Sequence, residues 1–297
     1  MSTGSPGLQR HRRVRGWLLA SPAVAAGVVV SLYPLAYLLA SSLSRSTLGR
    51  PFQEWVGGEN YAEALMDPTV TGSLLRSVVF AVVTAGIQTV LGVVTALLLR
   101  DVARGRSVLR AVVLLPLVTP PVMAAVMWRL LLEPNGGLLN AVLREFGLID
   151  APLSLLGSQT WAIVMIGLAD TWQWTPFVTI LVLAALLGLP GELLEAAQVE
   201  GAGGWATFRY VILPLLAPTL LTVFLIKLII SFKVFDLVHI LTFGGPGDAT
   251  TTSSFLAFRT ALREFDVGYA AAQTVLFLVV VTIVILPITQ LVRRSHA

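Results

Sequence analysis

Four side chains within one long apolar stretch stand out for the chemistry they could do together. Asp170, Gln173, Trp174 and Phe177 follow at i, i+3, i+4 and i+7, the spacing that gathers residues on one face of a helix. A carboxylate and an amide can each bridge neighbouring hydroxyls, and aromatic rings stack on C–H faces. Such a face suits a polyhydroxylated solute. A second apolar stretch repeats the spacing with Lys227, Ile230, Ser231 and Val234, and carries Lys233 and Asp236 close by. Polar groups inside apolar runs are costly unless they meet a cavity or a partner, so both faces are candidates for the walls of a passage. Asp170 is read as a contact to the solute or a gating group. For Lys233 and Asp236, three residues apart, a structural ion pair reaching toward an interface is the simpler reading. Arg129 is read as an interfacial anchor.

Catalysis fits these residues poorly. The chain has no cysteine, hence no thiolate ligand and no cysteine nucleophile. His11, His239 and His296 lie far apart in the sequence, which argues against a histidine metal cluster. No nucleophile sits beside a base. No glycine-rich phosphate loop followed by lysine occurs, so the chain is expected neither to bind nor to hydrolyse ATP.

The elements that must position these faces follow from composition. Hydrophobic residues make up 56% of the 297 and charged residues 12%, against roughly 45–50% and about 25% in soluble domains. Six apolar segments are read as spanning helices: Trp17 to Leu39, Ser73 to Leu99, Leu109 to Leu132, Thr160 to Gly188, Leu215 to Leu241 and Tyr269 to Val292. Each reaches the roughly 20 residues that a hydrocarbon core requires. The fold expected is all-α and polytopic, with a tail over 1–16, a six-helix domain over 17–292 and a second tail over 293–297. The first segment follows a basic stretch but is too long and too poor in cleavage features for a signal peptide, so it is read as a retained anchor. Pro116, Pro120 and Pro121 should bend the third segment and Pro176 the fourth.

Lysine and arginine set the orientation. The two tails and the loops Arg100 to Arg110 and Gly188 to Ile212 hold eleven, and the three opposite loops hold five. The positive-inside rule therefore puts both tails in the cytoplasm, and six spans require the tails to share a side. The opposite loops, Ser41 to Gly72, Glu133 to Gln159 and Phe243 to Gly268, are long enough to host short interfacial helices. Turns are marked in two of them by Asn135, Gly136 and Gly137 and by Gly244, Gly245, Pro246 and Gly247.

The Gly188 to Ile212 loop carries Glu192, Glu195 and Glu200 against a lone Arg209. Acidic residues contribute little to topology, so an acidic-leaning loop here points to docking with another protein, or to a plain solvated loop. Its residues read as a helix–turn–helix over 189–214. Pro190 can start a short helix at Gly191, and Gly201 can end it in the left-handed conformation that glycine adopts cheaply. A second short helix then runs from about Trp205 to Pro214. Ala196, Ala197, Gly201 and Ala202 are expected to form a small-residue surface that a partner's backbone can approach. Glu195 offers it a charged contact.

These residues resemble a known family. Glu195-Ala196-Ala197, Gly201-Ala202, Phe208 and Ile212-Leu213-Pro214 look like the EAA loop of binding-protein-dependent ABC transporter permeases. Glu200 stands where sugar permeases commonly have aspartate, which keeps the charge. The flanks are similar to carbohydrate permeases of the MalF and UgpA kind. They include Leu115-Pro116, Trp128, Asn140, Asp170-Thr171-Trp172, Pro176-Phe177, Phe235-Asp236, Gly244-Gly245-Pro246 and Gly268-Tyr269-Ala270-Ala271-Ala272. The resemblance covers about residues 17 to 294.

The resemblance implies a six-helix permease subunit of an importer in a bacterial or archaeal inner membrane. Its Glu195, Ala196, Ala197, Glu200, Gly201, Ala202 and Phe208 would form the coupling helix region that seats on an ATPase. It also implies a second, homologous permease, two ATP-binding subunits that hold ATP and Mg, an extracytoplasmic solute-binding protein, and a sugar or polyol as cargo. The chain itself would need no cofactor and would bind no nucleic acid. Importers of phosphate, amino acids or peptides share the class. A secondary transporter working without an ATPase leaves the 189–214 loop unexplained.

Overall fold

The computed structural model describes residues 6–101 and 106–295. Expectations that fall on 1–5, 102–105 and 296–297, including parts of both tails and His296, lie outside the described residues.

The chain starts with α1 (Pro6–Ser42), then a small hairpin of β1 (Ser44–Arg45) and β2 (Glu54–Trp55), paired antiparallel with Ser44 opposite Trp55. Next come α2 (Glu59–Met66), α3 (Pro68–Asp101), α4 (Arg106–Val118), α5 (Pro121–Leu131), α6 (Leu138–Glu145) and α7 (Gln159–Leu187). The short α8 (Gly191–Val199), α9 (Gly204–Thr207) and a π-helical turn (Phe208–Ile212) lead into α10 (Leu213–Phe232), α11 (Asp236–Leu241), α12 (Ser253–Leu262) and α13 (Val267–Ser295). The architecture is all-α apart from this hairpin and an isolated bridge between Thr47 and Asp266.

Among the described residues five helices are long and apolar enough to cross a membrane, or six if α4 and α5 count as one bent span. The third expected span is thus not a single helix: α4 and α5 are bent by 100° to one another. The cause is local. Pro120 and Pro121 supply no N–H to the preceding turn and fix φ, so the ladder of helical hydrogen bonds stops at Thr119 and restarts with Ala124 N–H to Pro120 O at 3.0 Å. The fifth expected span is likewise interrupted. Helix α10 ends at Phe232, and α11 starts at Asp236. The first helix runs past its expected start at Trp17, through most of the expected tail.

Close packing of α3 on α7 forms the centre. A Cβ on Gly92 would collide with the Val178 side chain, so glycine lets the two backbones approach. Around that contact Val93, Ala96, Val182, Leu183, Leu216 and Val223 form one buried cluster. A second cluster joins Phe80, Ala125, Ile166, Ala169, Val238 and Phe255, bringing α3, α5, α7, α11 and α12 together. By contrast, residues 21–37 of α1 are exposed, and α1 packs chiefly on α13.

One end of the bundle holds the hairpin, α2, α6 and α12, which lie in the three long loops, together with α11 from the end of the expected fifth span. It is tied by Val267 N–H to Ser46 O at 2.9 Å, Arg76 Nε to Thr251 O at 2.9 Å and Ser253 N–H to Ser77 Oγ at 2.8 Å. Both glycine turns form there. Gly136 has φ +104°, Gly244 +85° and Gly247 +56°. Helices α8 and α9 occupy the other end.

Candidate functional site

Helices α3, α7 and α10 bring polar side chains together inside the bundle. Lys227 on α10 is fully buried and its Nζ lies 3.3 Å from Asp170 Oδ2 on α7. The same oxygen accepts a hydrogen bond of 2.7 Å from Gln88 Nε2 on α3. Lys227 Nζ also donates to Ser231 Oγ at 2.8 Å and stands 5.1 Å from the centre of the Trp174 ring. Ser231 Oγ in turn accepts from Thr84 Oγ1 of α3 at 3.3 Å. Three helices are thereby cross-linked by one compensated charge pair. A buried charge persists only when paired and hydrogen-bonded, and this one is both.

Beside the pair lies a cavity of about 280 Å³ lined by Pro121, Asp170, Gln173, Trp174, Ile230, Lys233, Val234, Phe235, Asp236 and Leu237. Five of the eight side chains proposed for the passage walls therefore meet at one space: Asp170, Gln173, Trp174, Ile230 and Val234. The other three do not line it. Lys227 and Ser231 sit behind the wall as its electrostatic support, and Phe177 turns toward the Val93–Leu216 cluster, with its ring 6.1 Å from Trp174. Asp170 keeps Oδ1 without a protein partner among the described residues while Oδ2 is held by two donors. The cavity thus combines carboxylates, an amide, an ammonium group and an indole. That mixture can both donate to and accept from hydroxyls.

One reading changes. Lys233 and Asp236 form no ion pair with one another. The helix breaks between them, and both contribute to the cavity. Arg129 is exposed on α5. Its Nη1 donates to Ile240 O at 3.1 Å and ties α5 to the last turn of α11. Sequence reading missed Gln88 and Thr84. Their signal was available: a hydroxyl and an amide four residues apart, on one face of the membrane-length α3. What was missing was the knowledge that α3 packs on α7.

At the far end, the loop folds as a helix, a tight turn and a helix. Pro190 precedes α8, and Gly201 has φ +80°. Gly201 N–H bonds Gln198 O at 3.0 Å and Ala202 N–H bonds Ala197 O at 2.9 Å, the paired closure of a Schellman motif. Glu195, Ala196, Glu200 and Gly201 are exposed, Ala202 and Phe208 are half-buried, and Ala197 is buried. Ala197 is therefore part of the support, not of the small-residue surface expected of it. Phe208 packs against Trp205 at 5.6 Å and joins the Val93–Leu216 cluster. Val199, Trp205 and Tyr210 remain 74–89% exposed, an apolar rim around the acidic patch that sequence reading did not include.

Comparison with known proteins agrees with this architecture. The family described as "Binding-protein-dependent transport system inner membrane component" matches residues 88–296. The chain is 36% identical over 256 residues to the "Trehalose/maltose transport system permease protein MalF" of Thermococcus litoralis, covering 86% of each. It is 29% identical to the "sn-glycerol-3-phosphate transport system permease protein UgpA" of Agrobacterium fabrum, covering 91% of each. It is 30% identical to the "Lactose transport system permease protein LacF" of Rhizobium radiobacter, covering 97% of each. Among solved structures, a chain of a bacterial ABC transporter involved in the import of the acidic polysaccharide alginate superposes with a TM-score of 0.84 at 21% identity, over 96% of this chain and 98% of that one. That likeness concerns the fold.

Proposed function

Because the chain belongs to the family of binding-protein-dependent transport system inner membrane components, we propose that it is one of two pore-forming subunits of an ATP-driven importer for a sugar or polyol. Relatives named for trehalose, maltose and lactose transport support the cargo class. Hydrolysis of ATP, with its Mg, belongs to two copies of a separate ATPase that dock at the α8 end. A second permease completes the pore, and a solute-binding protein delivers cargo at the α12 end. A related structure, the alginate transporter in complex with a pentasaccharide-bound periplasmic protein, supports that last partner. In this reading the membrane is the inner membrane and both tails are cytoplasmic, consistent with the lysine and arginine distribution.

One observation carries the proposal. The α8–α9 elbow joins α7 directly to α10, and the 280 Å³ cavity is walled by Asp170, Gln173 and Trp174 of α7, Ile230 of α10 and residues 233–237, which follow α10 directly. Leu189 and Leu194 pack into the Val93–Leu216 cluster beside Val182 and Leu216, so a rigid displacement of α8 must move the cavity walls. The exposed Glu195 and Glu200 within an apolar rim are what a docked ATPase would cover.

The test is Glu195→Lys in the assembled transporter. Uptake of trehalose and maltose by proteoliposomes should be lost and the ATPase should dissociate, while the permease stays inserted. Wild-type uptake with the ATPase still bound would remove the proposal. Import of phosphate or amino acids instead would keep the coupling role and change the cargo.

A further inference from the structure

The α4–α5 elbow contains a backbone carbonyl that needs a partner. Thr119 lies between Val118, the last residue of α4, and Pro120, the cap of α5. Its own N–H turns back to Pro116 O at 3.3 Å. With α5 starting at Pro121, no helical N–H returns to Thr119 O. In the interior of a membrane protein an unpaired carbonyl is costly, because no bulk water replaces the lost donor. The partner is a side chain: Gln173 Nε2 on α7 donates to Thr119 O at 3.1 Å. Gln173 is 3% exposed and lines the same cavity as Pro121, the first residue of α5.

We propose that Gln173 is a positioning residue that latches the α4–α5 elbow and releases it when a solute in the cavity takes over its amide. The inference rests on the reading of that cavity as a solute site. A hydroxyl bound between Asp170 and Gln173, one turn apart on α7, competes with Thr119 O for the amide N–H. Once the amide turns to the solute, Thr119 O must find another donor, and the elbow is the part free to move. Prolines at 120 and 121 prevent it from closing into a straight helix. Helix α5 would carry the movement to α11 through Arg129 and Ile240 O, so occupancy is reported to the end where cargo arrives.

The test reads elbow geometry in the assembled transporter, without solute or binding protein. The chain contains no cysteine, so cysteines introduced at the exposed Met127 of α5 and Leu168 of α7 are the only thiols of this subunit and accept spin labels. Gln173→Met keeps the bulk and removes the donor. It should broaden the distance distribution and raise ATP hydrolysis without binding protein severalfold. Gln173→Leu, which also lacks the donor, should do the same and carries the test if the Met variant fails to assemble. Gln173→His, which keeps an N–H, should stay close to the parent. A narrow, parent-like distribution in the Met or Leu variant, or unchanged hydrolysis, overturns the latch, because a residue that only filled space would be replaced by Met without effect. Neither readout needs a cargo, so loss of the saccharide reading in the uptake assay is a separate result.

Discussion

Lys227 and Asp170 face each other across α10 and α7 at 3.3 Å, with side chains 0% and 5% exposed. The pair is the most buried ionic contact among the described residues, and its geometry makes each partner dependent on the other. Gln88 and Ser231 saturate it further, at 2.7 and 2.8 Å.

Breaking this pair on one side leaves an uncompensated charge, which typically costs about 3–5 kcal/mol in a protein interior. Lys227→Met and Asp170→Asn alone should each lower the thermal midpoint of the purified permease. The double variant should recover much of the loss, because two neutral groups remain. Equal, additive losses would show that the two side chains act independently.

The Trp174 indole forms part of the cavity wall and covers the Lys227 ammonium at 5.1 Å. Trp174→Ala should raise the apparent KM for uptake about tenfold, equivalent to about 1.4 kcal/mol, with the ATPase still attached. Uptake kinetics in proteoliposomes check it. An unchanged KM would assign the ring a packing role only.

Gly201 adopts φ +80° to close the turn after α8. A side chain there adds strain of about 1–3 kcal/mol and opens the paired hydrogen bonds to Gln198 and Ala197. Gly201→Val should abolish uptake while membrane insertion and the melting of the α3–α7 core change little. Co-purification of the ATPase and a melting curve separate the two effects.

At Gly92 the reason for glycine is contact, since its φ is ordinary and a Cβ would strike Val178. Gly92→Leu overfills the α3–α7 seam, a fault that typically costs about 1–3 kcal/mol. The midpoint should fall, and Val178→Ala should restore part of it.

Acid sensitivity should come from the long-loop end. Burial raises the Asp248 carboxyl, but hydrogen bonds from Arg259 and Thr251 and the charges of Arg259 and Arg76 outweigh it, holding the group below its usual value. A carboxylate depressed in the folded state contributes stability that is complete above the unfolded value, about 3.9, and is lost as pH falls through the folded one. The midpoint should therefore be insensitive to this group between pH 7 and 5 and drop only in strong acid. Arg259→Ala, which removes the 2.7 Å bond, should shrink that drop, because the folded-state value then moves back toward the unfolded one. Because Asp248 is 41% exposed, added salt should weaken the effect.

What the sequence determined by itself was whatever depends on local rules. Apolar length identified the helices of a membrane protein. Pro190 and Gly201 marked the elbow to within a residue, because a cap and a left-handed glycine are properties of a few neighbouring positions. The i, i+3, i+4 spacing placed Asp170, Gln173 and Trp174 on one face for the same reason. Proline positions foretold a bend in the third segment, but not that it would reach 100°, since the extent depends on what receives the freed carbonyl of Thr119, and that is Gln173 from another helix. Likewise, the charge partner of Lys227 is Asp170, 57 positions away on another helix, and Gln88 joins them only because Gly92 lets α3 close on α7. Ala197 is buried on a short helix whose neighbours are α9 and the π-helical turn. Such partnerships are decided by which surfaces meet, and no local pattern in a single chain records that.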